Sequence, residues 1–143
     1  MTKIDFYLLT QPGQEACETM ACKLIEKIYQ LKHKVYIHTA SEQDAARLDN
    51  LLWTQKPGNF IPHEIASENN HPETPILIGH GDDAPPFQDV LINLSQTVPL
   101  FFSQFNRVAE FVDADDANKN LGRKRFKFYK DRGYELDTHE LTN

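Results

Sequence analysis

Ile4-Asp5-Phe6-Tyr7-Leu8-Leu9-Thr10 is a short, mostly apolar run rich in strand formers, the pattern of a strand covered on both faces. Pro12 and Gly13 turn the chain. Beyond them Cys17, Met20, Ala21, Leu24, Ile25 and Ile28 recur at three- and four-residue steps, which predicts one apolar stripe along a crossover helix. Lys34 to Thr39 is a second strand, and Ser41 followed by Asp44 reads as an N-cap with an acidic first turn. A second helix then runs through Ala45, Leu48, Leu51 and Leu52. Strand-helix-strand-helix at the start of a chain predicts a layered α/β domain with a largely parallel sheet.

Working outward, Trp53 to Pro75 carries Pro57, Gly58, Pro62, Pro72 and Pro75 without a helical period. It is read as loop, with a short strand at Phe60 and Ile61. Ile76 to Ile78, Val90 to Leu94 and Val108 to Val112 are apolar runs suited to strands, and turn residues bound the first two. A final helix is expected over Ala114 to Arg132, closed by Gly133. The 143 residues make one domain, residues 1–143, at the usual size of roughly 100 to 200 residues. Hydrophobic content of 40%, charged content of 25% and a mean hydropathy of −0.55 are those of an ordinary soluble domain.

Chemistry is conspicuous by what is missing. The Thr10–Glu15 turn lacks the glycine spacing of a dinucleotide site and the Gly-Lys-Ser/Thr of a phosphate loop, so no nucleotide cofactor is expected. His33, His38, His63, His71, His80 and His139 have no zinc-binding spacing. Gly79-His80-Gly81-Asp82-Asp83 is read as a solvated turn rather than a catalytic one. No nucleophile elbow occurs. Cys17 and Cys22 stand about 140° apart on a helix, too far round to bridge or to hold a metal together. Two unpaired cysteines and the absence of a long apolar run point to a reducing, cytoplasmic setting.

Charge is unevenly distributed. The chain as a whole is −6, from 15 Lys and Arg against 21 Asp and Glu, yet Lys119, Arg123, Lys124, Arg125, Lys127, Lys130 and Arg132 fall within residues 119–132, where Asp131 is the only acid. That stretch is +6 and the remainder −12. On a helical projection at about 100° per residue, Ala117, Leu121 and Phe128 share one sector, read as the core face. Lys119, Arg123, Lys127 and Lys130 gather opposite, with Phe126 among them. Lys124, Arg125 and Arg132 project toward the flanks. A solvated basic face is the plain reading, but an aromatic among cations suits an acidic peptide with an apolar end and a terminal carboxylate. Direct nucleic-acid binding is the alternative, and an acidic body opposes it. Trp53, near Phe60, Ile61, Pro62 and His63, is either an interface anchor or a cap on the core at the end of the second helix.

Phe6-Tyr7-Leu8, Arg47-Leu48-Asp49 followed by Leu52-Trp53, Phe60 with Pro62-His63, Asp89-Val90-Leu91-Ile92, Phe111-Val112, and Arg123, Phe126-Lys127 and Tyr129 before Gly133 occur in this order along the chain. In that order and spacing the sequence resembles the chi subunit of bacterial DNA polymerase III holoenzyme. The resemblance implies a Rossmann-like fold and a non-catalytic, cytoplasmic replication adaptor without cofactor or metal. It also implies two partners: the psi subunit, paired one-to-one and tethered to the clamp loader, and the acidic C-terminal tail of single-stranded DNA-binding protein. By position, Trp53, Phe60, Pro62 and His63 would meet psi, with a DNA-repair helicase as a possible competitor for that face. Val112, Lys119, Arg123, Phe126 and Lys127 would meet the tail, Arg123 taking its carboxylate. Phe126 stands where the family commonly has tyrosine, and Lys124 where an acidic residue can occur.

Overall fold

The computed structural model describes residues 2–54 and 61–141. Strands β1 (Lys3–Leu9) and β2 (Val35–His38) are joined by helix α1 (Gln14–Gln30), and helix α2 (Glu42–Thr54) leads to β3 (His63–Ile65). Strands β4 (Ile76–Gly79), β5 (Val90–Asn93) and β6 (Arg107–Val112) follow, then helix α3 (Asp116–Asp131) and strand β7 (Glu135–Leu141). The seven strands form one sheet in the order β3-β4-β2-β5-β6-β1-β7, with every pairing parallel.

Strand alternation divides the core in two. Ile37, Ile78, Ile92, Ala109 and Phe111 face α1 and α2, which supply Ala21, Ile25, Ala45 and Leu48. Phe6, Tyr36, Leu77, Leu91, Val108 and Val112 face the other way, toward Phe102 and Phe105 of the β5–β6 connection and Tyr129 of α3. The Ser41 hydroxyl accepts the Asp44 N–H at 3.1 Å, so the expected cap is present. At the other end of the chain Gly133, at φ +82°, ends α3, and the Tyr134 N–H reaches back to the Tyr129 carbonyl at 3.2 Å.

Two expectations are corrected. The strand placed at Phe60 and Ile61 begins instead at His63, because Pro62 has no N–H to give a ladder; Phe60 lies outside the described residues. Strand β7 was not foreseen, since Glu135-Leu136-Asp137-Thr138-His139-Glu140-Leu141 is mostly polar, as an edge strand can be. Cys17 and Cys22 are both buried and free, packing in one cluster because the buried arc of α1 is wide enough to take both.

Burial pushes both thiols up to about 12, with Asp113 adding to the effect at Cys17 and Glu18 at Cys22. Thiols in the unfolded chain titrate near about 8.5. Between those values the unfolded chain releases protons that the folded chain keeps. The stability these thiols contribute is therefore complete below about pH 8.5 and declines as pH rises, by up to about 1.4 kcal/mol per thiol per pH unit. Urea unfolding followed from about pH 8.5 to 10 should show a shallower decline in the Cys17→Ala/Cys22→Ala variant than in wild type.

Candidate functional site

Helix α3 starts where Asp115 accepts the Asn118 N–H at 3.2 Å, and it packs on the sheet through Gly122, Arg125 and Tyr129. This overturns the expected core sector: Ala117 is exposed, and Leu121 and Phe128 are only half-buried. The reason lies in β6, which presents a fully buried carboxylate, Glu110, toward the helix. Its Oε1 accepts Arg125 Nε at 2.8 Å, and its Oε2 accepts the Tyr129 hydroxyl at 2.7 Å and Asn93 Nδ2 at 2.8 Å. Burial pushes the Glu110 carboxyl up, while Arg125, Asn93 and Tyr129 pull it back. Burial and the neighbouring Glu110 also raise the Tyr129 phenol, so it stays a donor. The helix is thus turned by a polar anchor, and an apolar projection could not find it.

That rotation brings Phe126 to the edge of the helix rather than out into solvent. Its ring meets Phe6 edge-on at 5.3 Å between centroids. Between α3 and the carboxyl ends of β1, β6 and β7 lies a cavity of about 360 Å³. Phe6, Leu8, Val112 and Thr138 form its sheet side, Gly122 and Phe126 its helix side, and Lys119 and Arg123 supply two positive charges against the one carboxylate of the lining, Asp113. Arg123 donates to Asn120 Oδ1 at 2.7 Å on the surface. Lys127 is not among the lining residues; it pairs with Asp131 at 2.9 Å further along the helix. An apolar recess with a guanidinium and an ammonium at its rim can take an apolar side chain next to a carboxylate.

A second exposed feature sits at the far edge of the sheet. Trp53, near the end of α2, is 57% exposed and lies edge-on to His63 at 5.0 Å, so it does not cap the core. His63 is buried, with Nδ1 2.7 Å from the Ile61 carbonyl and Nε2 3.2 Å from Asp49 Oδ1. Pro62 is half-buried beside it. Trp53 is therefore the exposed member of this patch, with Pro62 half-buried in the adjoining segment, while the His63 side chain, expected at the surface, is buried behind the Trp53 ring.

The place where α/β folds commonly bind nucleotides, the crevice between strands whose helices leave to opposite faces, falls here between β1 and β6. The cavity at the carboxyl ends of β2, β5 and β6 and the start of α1 holds about 150 Å³ and is lined by Glu18, Asp44, Asp113 and Arg125. Three carboxylates are the wrong sign for a polyphosphate. Among the described residues no group of three or more His, Cys, Asp or Glu could hold a metal ion. His80, Asp82 and Asp83 are exposed on their turn, and no helix of the described residues is long and apolar enough to cross a membrane.

The family model described as DNA polymerase III chi subunit, HolC, matches residues 1–137. The chain belongs to the chi family. Curated relatives with the name DNA polymerase III subunit chi include one from Pseudomonas aeruginosa, 38% identical over 141 residues, covering 99% of this chain and 98% of the relative. Those from Haemophilus influenzae (36%, 96% of each chain) and Escherichia coli (32%, 96% of this chain and 97% of the relative) agree. A chain in the crystal structure of T4 UvsW superposes with a TM-score of 0.69 at 10% identity, over 99% of this chain and 42% of that one. That likeness is of fold alone.

For this member of the chi family, sequence reasoning missed the part of the cavity made by strands: Phe6, Leu8 and Thr138 come from β1 and from the unforeseen β7. Gly122 was also passed over. A Cβ there would stand 2.7 Å from Val112 Cγ2, so only glycine lets α3 approach β6 this closely. Gly122→Ala should push the helix off its seat and destabilise the fold by about 1 to 3 kcal/mol, read as a lower urea midpoint.

Proposed function

We propose that this member of the chi family is a non-catalytic adaptor that holds the acidic C-terminal tail of single-stranded DNA-binding protein in the α3 cavity and the psi subunit on the Trp53 patch. One observation carries the reading: an apolar recess floored by Phe6, Leu8 and Val112 opens beside Arg123 and Lys119. Phe126 forms a wall through its ring alone, so the hydroxyl of a tyrosine is not needed for the recess. A terminal phenylalanine would enter it, its carboxylate would pair with Arg123, and preceding aspartates would meet the remaining cations of α3. A peptide ending in Asp-Asp-Ile-Pro-Phe, compared as free acid and as C-terminal amide by fluorescence anisotropy, tests this directly. Preference for the acid supports it; equal binding of the two opposes it.

The two faces are well separated. In the sheet order β3 and β1 are five steps apart, about 24 Å at the usual strand spacing, so psi and the tail can be held at once. Trp53→Ala should weaken association with psi by about 30-fold or more, as loss of an interface tryptophan does, and leave peptide affinity unchanged. Surface plasmon resonance with each partner in turn reads both. A direct nucleic-acid binder would instead hold single-stranded DNA alone with a steep salt dependence, and the −12 body makes weak or no such binding the expected result.

A further inference from the structure

The connections β3 to β4 and β4 to β5 contain no helix, so on the α3 side the sheet over β2 and β4 is covered by loops alone. Between those loops lies a cavity of about 300 Å³ at the carboxyl ends of the two strands. Tyr36 reaches into it from β2. The residue is only 2% exposed, yet its hydroxyl has no hydrogen-bond partner among the described residues and lies on the cavity wall. The neighbouring strand makes room for that hydroxyl: a Cβ at Gly79 would overlap it. Burial, with Asp83 adding to it, pushes the phenol up to about 12. A neutral hydroxyl at the end of a buried ring, opening onto a cavity and making no hydrogen bond to the described residues, can accept one from a ligand held there.

The rest of the lining fixes what could satisfy it. Leu77, Ala66, Pro85 and Pro86 are apolar walls, while Glu68 and Asp83 bring two exposed carboxylates and no Lys or Arg lines the cavity. An anion would be repelled. We propose that this cavity binds a guanidinium or alkylammonium cation carried on an aliphatic stem, with the Tyr36 oxygen accepting a hydrogen bond from the cation, Glu68 and Asp83 balancing its charge, and the apolar walls packing the stem. An arginine side chain of a partner protein and a free polyamine share this chemistry. The site shares no residue with the α3 cavity or the Trp53 patch.

The test is a titration of the ¹⁵N-labelled protein with N-acetyl-arginine amide, with spermidine and with N-acetyl-norleucine amide, followed by amide chemical shifts. Saturable shifts at Gly79–Asp83 and Ser67–Asn70 with at least one cation, and none with the uncharged norleucine analogue, are expected. The arginine amide binding more tightly assigns the site to a partner's side chain, and spermidine binding more tightly assigns it to a free polyamine. Asp83→Asn and Tyr36→Phe should each weaken the binding at least fivefold. Asp83 is exposed and Tyr36→Phe removes only an oxygen, so an unchanged thermal midpoint will accompany the loss. No saturable shift there with either cation, equal shifts with norleucine amide, or undiminished binding by both variants would overturn the proposal.

Discussion

Glu110→Ala will lower the free energy of unfolding by about 3 to 5 kcal/mol, the cost of leaving one member of a buried ion pair without the other. Glu110 is fully buried on β6 and receives Arg125, Asn93 and Tyr129, at 2.7 to 2.8 Å. Without it, the Arg125 guanidinium keeps only the Gln96 and Phe111 carbonyls, at 3.3 and 3.4 Å, while 7% exposed. Against a total stability of about 5 to 15 kcal/mol, the loss is about a fifth or more. Urea unfolding measures it. The double variant Glu110→Ala/Arg125→Met should recover much of the loss, since removing both charges avoids burying one alone. A loss under about 1 kcal/mol in the single variant would mean that the pair does not hold α3. The consequence reaches function, because the same pair sets the rotation that turns Phe126 and Arg123 toward the cavity.

How much of this was legible in the sequence follows from the range of the forces involved. Helix α1 and strands β1 and β2 are specified by local periodicity, and Ser41 caps α2 through a residue three positions away; both signals lie within a short window. The core face of α3 does not. It is decided by Glu110, fifteen residues from Arg125 and nineteen from Tyr129, and a projection that counts only apolar residues places Arg125 on a flank. Strand β7 is held by β1 through parallel pairing from Lys3↔Glu135 to Leu9↔Leu141, a contact across nearly the whole chain. Its polar sequence gives no local sign of it. The cationic helix was therefore visible while half of the cavity beside it was not: Lys119, Arg123 and Phe126 stood out by charge and anomaly, whereas Phe6, Leu8 and Thr138 join them only through the sheet.

The second large effect concerns Arg123. A hydrogen-bonded ion pair between a guanidinium and a carboxylate contributes about 1.5 to 3 kcal/mol, or about 10- to 100-fold in affinity. Arg123 already sits at the cavity with its Nη1 on Asn120. Lys119 also lines the cavity, but an ammonium cannot match both carboxylate oxygens as a guanidinium does, so Lys119→Ala should cost less than Arg123→Ala. Lys127, engaged with Asp131 and outside the lining, should cost least of the three.

The decisive measurement is the affinity of wild type and Arg123→Ala for the Asp-Asp-Ile-Pro-Phe peptide as free acid and as amide, all four by anisotropy at moderate salt. The account predicts that wild type prefers the acid by about tenfold or more. It also predicts that Arg123→Ala weakens the acid by about 10- to 100-fold and erases the difference between acid and amide. An Arg123→Ala protein that binds the acid as tightly as wild type, or keeps the full preference for acid over amide, would contradict it.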